Sequence, residues 1–249
     1  MSGLEVHGLS KAFGGLRAVA GVSLTAEPGR VLGLFGPNGA GKTTVFNLIA
    51  GALRPDKGRV LLDGHDITRL PAYRRAQRGL ARTFQVVKPL NELTVMDNVM
   101  VPLAHQRLRR LLPLHRYRTP AREQRARALL EQVGLLEQAD APAGALPLGM
   151  KKRLEVARAL ALEPKVLLLD EPLAGLSLQD ARLVLDVVHA AREAAAVVLI
   201  EHNVRLAMAA CDRAVVMEAG AVIAAGVPDE VKRDPKVITA YLGKEGADA

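Results

Sequence analysis

The sequence lacks tryptophan, has a single cysteine, Cys211, and contains only 3% aromatic residues. One cysteine excludes a disulfide within the chain and favours a reducing compartment. Long apolar segments are also missing, because no uninterrupted apolar run approaches the roughly 20 residues that span a bilayer. The first residues have neither the cationic segment nor the apolar stretch of a signal peptide. We therefore expect a cytoplasmic protein that meets a membrane only through a partner.

The chain nevertheless has enough apolar content for a sizeable core, since 49% of its 249 residues are hydrophobic. Short continuous apolar runs alternate with segments of helical periodicity, which predicts an α/β fold with a parallel sheet flanked by helices. Buried strands are predicted over 30–36, 165–170 and 196–202. Two helical stripes with i, i+3, i+4, i+7 spacing are predicted: Val184, Val187, Val188 and Ala191, then Ala126, Leu129, Leu130 and Val133.

Glycine turns and short alternating stretches stand apart from this pattern. Residues 3–29 and 58–67 predict a small antiparallel β subdomain, and residues 214–228 predict a hairpin. Residues 86–150 are rich in arginine, interrupted by prolines and helical in pattern, which predicts an inserted helical subdomain.

We therefore expect one domain over 1–249. Its core would be built from 1–85 and 151–249, with the helical subdomain between them.

The sequence "GPNGAGKT" at 36–43 follows a predicted strand and precedes a predicted helix. This context and the spacing G-x-x-x-x-G-K-[ST] predict a phosphate-binding loop of the P-loop NTPase fold. Its glycines would turn backbone N–H groups towards the β-phosphate, Lys42 would bridge the β- and γ-phosphates, and the hydroxyl of Thr43 would bind Mg²⁺. The residues expected to contact the nucleotide here are Gly36, Pro37, Asn38, Gly39, Ala40, Gly41, Lys42, Thr43 and Thr44.

Two carboxylates, Asp170 and Glu171, end the apolar run "VLLLDEP". Parallel strands bring their carboxyl ends to one edge of the sheet, where the phosphate loop also lies. Asp170 is then predicted on the Mg²⁺ side, directly or through water, and Glu171 as the general base that polarises the attacking water.

Two further strand-end residues are weaker candidates. His202 ends "VVLIEH" and could hold the γ-phosphate and the attacking water, or serve as a turn or packing residue. Gln85 in "ARTFQ" could bind the metal through its amide oxygen, or be merely exposed.

The order of these motifs resembles the ATP-binding cassette (ABC) ATPases throughout the chain: the phosphate loop, "RTFQ", the stretch at 146–153, "LLLDEP", "AGLS" at 174–177, and His202. The resemblance implies that Phe13 stacks on adenine and that Gln85 senses the γ-phosphate. It also implies that two cassettes sandwich two ATP molecules head to tail. Each site would then combine the phosphate loop of one chain with the signature loop of the other, and the separate loop "AGLS" would face the partner ATPase.

The chain is more closely similar to the ATPase subunits of branched-chain amino acid uptake systems, through "GLSKAFGGLRAV", "ARTFQ", "IEHNVRLAM" and "AYLG". Its signature loop departs from the family pattern LSGGQ, because Pro147, Leu148 and Met150 replace serine, glycine and glutamine. Pro147 offers neither a hydroxyl nor an N–H. The Gly149 N–H and the charges of Lys151, Lys152 and Arg153 are expected to remain available to an anion.

This departure predicts a heterodimer in which the site built on this chain's phosphate loop is the competent one. A homodimer stays open.

Arginines accumulate before and within the helical subdomain, and the net charge is +8. They are Arg74, Arg75, Arg78, Arg82, Arg107, Arg109, Arg110, Arg116, Arg118, Arg122, Arg125 and Arg127. A solvated or headgroup-facing surface is favoured over a nucleic-acid surface, since base-stacking aromatics are scarce, with Tyr117 the main candidate. No nucleic-acid partner is therefore expected. The resemblance to the ABC ATPases implies that residues 86–99 contact the membrane subunits, with helix packing as the alternative for Leu93, Val95 and Met96.

The motifs predict an ATP- and Mg²⁺-dependent ATPase, and the resemblance implies that it is the ATPase subunit of an importer for branched-chain or related amino acids. Its expected partners are transmembrane permease subunits and a second ABC ATPase, on the cytoplasmic side of the inner membrane. The alternatives are the ATPase of a lipopolysaccharide-type exporter and a nucleic-acid-linked ABC ATPase.

Overall fold

The structure is a computed structural model that describes residues 3–83, 89–108, 118–201 and 204–245. The strands are β1 (Leu4–Phe13), β2 (Leu16–Ala26), β3 (Val31–Phe35), β4 (Lys57–Leu62), β5 (His65–Asp66), β6 (Leu80–Arg82), β7 (Val166–Asp170), β8 (Ala196–Ile200), β9 (Arg213–Glu218) and β10 (Ala221–Gly226). The α-helices are α1 (Lys42–Ala50), α2 (Ala72–Gln77), α3 (Val95–Leu108), α4 (Pro120–Gln132), α5 (Leu148–Leu160), α6 (Leu178–Ala191), α7 (Val204–Met208), α8 (Pro228–Val231) and α9 (Pro235–Glu245).

The central sheet has six strands in the order β10-β9-β3-β8-β7-β6. All neighbouring pairs from β9 to β6 are parallel, and β10 pairs antiparallel with β9. The three strands predicted from continuous apolar runs are confirmed as β3, β7 and β8, and the predicted hairpin is β9–β10. The α/β fold class is therefore confirmed.

Both faces of this sheet are buried, which explains why its strands have no polar face. Successive side chains of a strand point to opposite faces. Leu167 and Leu169 accordingly belong to one apolar cluster, which includes α3 to α6, while Val166 and Leu168 belong to a second that includes α1. The parallel sheet thus separates two cores.

The predicted antiparallel subdomain is also confirmed, with the strand order β2-β1-β4-β5. Its apolar face closes the second core over α1, since Leu4, Val6 and Leu9 of β1 are fully buried there. Strand β2 also contacts the central sheet, because the N–H of Ala20 donates to the carbonyl of Gly220 at 2.8 Å. The small sheet is therefore fixed beside the loop that follows β3.

Between β6 and α5 the described residues form α3, α4 and two 3₁₀ turns, at Leu136–Gln138 and Ala143–Ala145. The two predicted helical stripes are confirmed, since their members in α4 and α6, with Val133 at the end of α4, are all buried. Thr119 caps α4 and Ser177 caps α6 through side-chain hydroxyls that accept backbone N–H groups. Within the described ranges, none of the helices has the length and apolar character needed to cross a membrane.

Arg75 of α2 is buried, although its sequence context placed it in a basic surface. Its guanidinium donates to four backbone carbonyls, those of Leu48, Ile49, Thr68 and Leu70, at 2.6–2.9 Å. Two of these carbonyls lie in the last turn of α1, where backbone acceptors have no partner within the helix. Burial lowers the pKa of Arg75 to about 10, so it is charged at neutral pH. The residue stabilises the end of α1 rather than a surface.

Replacing Arg75 by Met should destabilise the fold by about 2–4 kcal/mol, because several buried carbonyls would lose their donor. The free energy of unfolding, measured by urea denaturation, checks this. Arg78→Met is the matched control, since Arg78 is exposed at the end of the same helix and should change stability by less than about 0.5 kcal/mol. Equal effects of the two substitutions would contradict the assigned role.

Candidate functional site

The loop between β3 and α1 needs its glycines for conformation and for space. Gly36, Gly39 and Gly41 have φ values of 143°, 80° and 97°, which side chains rarely adopt. A Cβ on Gly36 would lie 2.1 Å from the carbonyl oxygen of Met217, and one on Gly41 would lie 2.3 Å from that of Ala18. The loop is therefore clasped between β9 and β2, directly before the first turn of α1.

The Lys42 side chain is buried and folds back over the loop. Its Nζ donates to the carbonyls of Gly36 at 2.6 Å and Pro37 at 3.0 Å. An ammonium group, clustered amides and a helix N-terminus together form an environment for phosphate oxygens. Asn38, Gly39 and Thr43 are exposed on the loop, so this environment is open to solvent.

Tyr241 of the C-terminal helix α9 reaches the base of the same loop. Its hydroxyl is buried near the backbone amide of Gly36. Burial raises the pKa of this phenol to about 12, and the Gly36 amide acts in the opposite direction. The C-terminal helix therefore packs against the first residue of the loop.

Asp170 and Glu171 lie at the carboxyl edge of the sheet, two strands from the loop. β7 pairs with β8, and β8 with β3, so the end of β7 and the end of β3 share one edge. Both carboxylates are buried. Glu171 adopts φ 48°, an uncommon value for a residue with a side chain, and its N–H donates to the carbonyl of Ile200 at 3.0 Å.

Arg82 connects Asp170 to α1. Its Nη2 donates to Oδ2 of Asp170 at 2.7 Å, and its Nη1 donates to Oδ1 of Asn47, also at 2.7 Å. Thr43 lies one turn before Asn47 on the same face of α1. The Thr43 hydroxyl and the Asp170 carboxylate therefore lie on the same side of the loop. These oxygen donors fit Mg²⁺, which prefers carboxylates and other oxygen ligands, and the guanidinium shows that Asp170 already attracts a cation.

Two buried side chains of opposite charge hold the backbone around Glu171. Lys152 of α5 donates from Nζ to the carbonyl of Glu171 at 3.1 Å. Glu201, which follows β8, accepts the N–H of Leu173 through Oε1 at 2.6 Å. Both side chains are almost completely buried. The uncommon backbone conformation of Glu171 is thus stabilised from the helical region and from the sheet.

The stretch at 146–153 leads into α5, with Pro147 as the residue before its first turn. The three cations that follow all donate to backbone carbonyls: Lys151 to Gly144, Lys152 to Glu171, and Arg153 to Val133 and Gly134. Lys152 is also buried, so the prediction that its charge remains available to an anion is wrong. For the partly buried Lys151 and Arg153 it stays a prediction.

The close packing of Gly149 also limits that helix end. A Cβ on Gly149 would lie 2.9 Å from the carboxyl group of Asp180 in α6. A side chain at this position would therefore displace the Asp180 side chain or shift α5 from α6.

Phe13 ends β1 at the hairpin with β2, and the residue is 46% exposed. The ammonium of Lys11 lies 5.6 Å from the ring centroid. Ala18, which contacts Gly41, follows in β2. The hairpin therefore presents an exposed aromatic ring on the strand pair that borders the phosphate loop.

The predicted contact region 86–99 divides into buried and exposed parts. Val95 and Met96 are buried in the core beside the helices, so the packing alternative holds for these two. Leu90 and Leu93 are exposed. Residues 86–88 lie outside the described residues.

The sequence-based candidates Gln85 and His202 lie outside the described residues as well. Three further residues take part in the site: Glu201, which sequence reasoning did not select, and Arg82 and Lys152, for which it predicted other roles. Arg82 lies in "ARTFQ", Lys152 in the stretch at 146–153 and Glu201 in "IEH". Their positions in these motifs are the sequence signal that could have identified them. Arg82 had been assigned to the basic surface, but its side chain is only 12% exposed, so that assignment is wrong.

A glycine loop with a buried lysine, next to two carboxylates at one edge of a parallel sheet, defines the class of P-loop nucleotide-binding proteins. Residues 19–174 match the family model described as ABC transporter. Residues 221–247 match the model described as branched-chain amino acid ATP-binding cassette transporter. This chain belongs to the ABC transporter ATP-binding cassette family.

Relatives match over almost the full length. The chain is 41% identical to the high-affinity branched-chain amino acid transport ATP-binding protein BraF of Pseudomonas aeruginosa, over 97% of this chain and 98% of BraF. It is 38% identical to the lipopolysaccharide export system ATP-binding protein LptB of Escherichia coli, over 98% and 99%. The crystal structure of the ADP conformation of MJ1267, an ATP-binding cassette of an ABC transporter, superposes with a TM-score of 0.85 at 31% identity, over 98% of this chain and 99% of that one.

Gly36→Ala should destabilise the protein by about 3–5 kcal/mol, because the methyl group would meet the Met217 carbonyl and the backbone would be strained. Gly39→Ala, also at positive φ but with no atom near the added Cβ, should cost only about 1–2 kcal/mol. Chemical denaturation without nucleotide checks this order. Equal losses of stability would show that Gly36 is needed only for its backbone conformation and not for its close approach to β9.

Lys152→Met should lower the kcat for ATP at least about tenfold while changing nucleotide affinity little, because the Glu171 backbone would lose its support. Lys151→Met is the matched control, since Lys151 also donates to a backbone carbonyl but does not reach Glu171. Steady-state kinetics with a separate nucleotide-binding titration separates the two parameters. A parallel fall in affinity and kcat would contradict a role confined to Glu171.

Proposed function

We propose that this chain is the ATP-hydrolysing subunit of an ABC importer for branched-chain or related amino acids. The observation that carries the proposal is the juxtaposition of the Lys42 loop with Asp170 and Glu171 at one edge of the sheet, in a chain that matches cassette subunits from end to end. The shared edge brings an anion-binding loop, a metal-binding carboxylate and a potential base together.

The roles of the loop residues follow from their chemistry. The backbone from Gly36 to Thr44 surrounds the phosphates, and Lys42 leaves the loop carbonyls to neutralise the β- and γ-phosphates. Asp170 and Thr43 would hold Mg²⁺, which neutralises the charge that develops on the phosphate oxygens. Phe13 stacks on the adenine ring, for which its exposed ring supplies the surface.

Glu171 acts as the general base, accepting a proton from the attacking water. Its buried position, with the backbone held by Ile200 and Lys152, supports a fixed orientation towards the γ-phosphate. Following the family pattern, Gln85 binds the metal and senses the γ-phosphate, His202 positions the γ-phosphate and water, and Gly149 contacts the γ-phosphate of the partner's nucleotide.

The amino-acid importer is favoured over the lipid exporter by two comparisons. Relatives named for branched-chain amino acid transport are 40% and 41% identical to the chain, and those named for lipopolysaccharide export are 37% and 38% identical. Residues 221–247 also match the branched-chain model, in the segment whose Tyr241 packs against the phosphate loop.

The partners follow from the incomplete signature. Pro147 cannot donate to a phosphate, and Lys151, Lys152 and Arg153 are used within the chain. We therefore infer a heterodimer with a second ATPase whose signature completes the site on this chain's phosphate loop. The pair would bind transmembrane permease subunits and lie peripherally on the cytoplasmic side of the inner membrane.

Glu171→Gln in the reconstituted pair should reduce ATP turnover about 100-fold or more while ATP binding is retained, since the base is lost but the loop is intact. Glu163→Gln is the matched control, because Glu163 has nearly the same backbone conformation, with φ 51°, on the exposed surface. Phosphate release and equilibrium binding of ATP check both expectations. Retained turnover in Glu171→Gln would refute the proposed asymmetry.

The same variant, trapped with ATP in solubilised membranes, identifies the transporter by what co-purifies with it. Two permease subunits and a different ATPase support the importer. Two copies of this chain with export components would favour the lipid exporter, and bound nucleic acid would refute both.

A further inference from the structure

Arg82 gives the phosphate-loop site a second, built-in cation. Its guanidinium bridges Asp170 and Asn47 with two hydrogen bonds of 2.7 Å, and the side chains of Arg82 and Asp170 are 12% and 3% exposed. The guanidinium carbon also lies 5.8 Å from the ring centroid of Phe46 in α1. Three contacts from two elements therefore keep the charge at Asp170 without any ligand.

The bridge has an electrostatic consequence for any metal ion that uses Asp170. A guanidinium is always charged at neutral pH. A fixed positive charge on a carboxylate weakens the attraction of that carboxylate for a second cation, and burial reduces screening by solvent. The oxygen that accepts from Arg82 also has fewer lone pairs left for a metal or its water ligands.

A purely structural bridge between α1 and β7 is the competing explanation. Replacing a buried ion pair by apolar residues is often neutral or stabilising, because both charges lose hydration on burial, so stability alone does not require a charge at this position. The guanidinium of Arg82 lies against Asp170, the expected metal ligand, and not elsewhere along α1. This position indicates a role connected with the metal.

We propose that Arg82 sets the metal requirement of this nucleotide site by competing electrostatically with the divalent cation for Asp170. It orients the Asp170 carboxylate when no metal is bound, and it raises the metal concentration at which the nucleotide site fills. The proposal rests on the proposed nucleotide-binding function of this site and assigns Arg82 as a positioning residue within it.

The two explanations predict different changes in metal affinity when Arg82 is replaced by a neutral residue, and a metal titration separates them. Mn²⁺ is titrated into the full chain with saturating ADP at constant ionic strength, and free Mn²⁺ is read by electron paramagnetic resonance. Arg82→Gln removes the charge and keeps a hydrogen-bond donor, so the apparent Kd for Mn²⁺ should fall at least about 5-fold. Arg82→Lys keeps the charge and should remain within about 2-fold of the unmodified chain.

Arg82→Met is a second neutral variant that keeps an apolar stem against Phe46, in case the glutamine variant does not fold. It should also tighten Mn²⁺ binding. Arg78→Gln, an equal loss of charge on the exposed surface nearby, is the control and should leave the Kd unchanged. ADP affinity is measured for every variant in EDTA, so that a change in metal-free nucleotide binding is not counted as a change in metal affinity.

Weaker or unchanged Mn²⁺ binding in the folded neutral variants would overturn the competition and leave Arg82 as a structural bridge. Failure of the unmodified chain to bind ADP at all would instead refute the proposed function of the site. Because the unmodified chain is measured first, the two failures are distinguishable.

Discussion

The parallel pairing of β3, β8 and β7 is the constraint on which the rest of the molecule depends. β3 and β7 each pair in parallel with β8, one on either side of it. The carboxyl ends of these strands therefore lie at one edge of the sheet. The phosphate loop follows β3, and Asp170 and Glu171 end β7. Antiparallel pairing of either strand would place these groups at opposite ends of the sheet. The chemistry proposed for the site therefore follows from strand direction before any side chain is considered.

Buried charges fix the backbone around this edge. Arg75 stabilises the far end of α1, Lys152 and Glu201 hold the segment from Glu171 to Leu173, and Arg82 links α1 to β7. Each charge has partners, as burial requires. Most of these partners are backbone carbonyls or amides, so the charges act on the course of the chain. The site is positioned by a polar framework as well as by the two apolar cores.

Helix α5 connects two parts of the proposed cycle. Its first turn carries the incomplete signature, with Gly149 packed against α6, and its next turn carries Lys152, which reaches the carbonyl of Glu171. A displacement of α5 would therefore move the backbone support of Glu171, the proposed catalytic base, in the same chain. This contact also explains why Lys152 is buried, although the sequence predicted that its charge remains available to an anion.

Local sequence determined the elements and the chemistry of the motifs. Continuous apolar runs predicted the buried strands. The spacing i, i+3, i+4, i+7 predicted the buried faces of α4 and α6. The glycine spacing at 36–41 predicted a loop whose conformation needs glycine. These properties depend on residues close together in the chain, so they were predictable. Tertiary structure alone decided which arginines and lysines are interior: Arg75, Arg82 and Lys152 belong to basic stretches, and their acceptors lie up to 88 residues away in the chain. Their burial follows from packing between distant segments, and no local pattern records that packing.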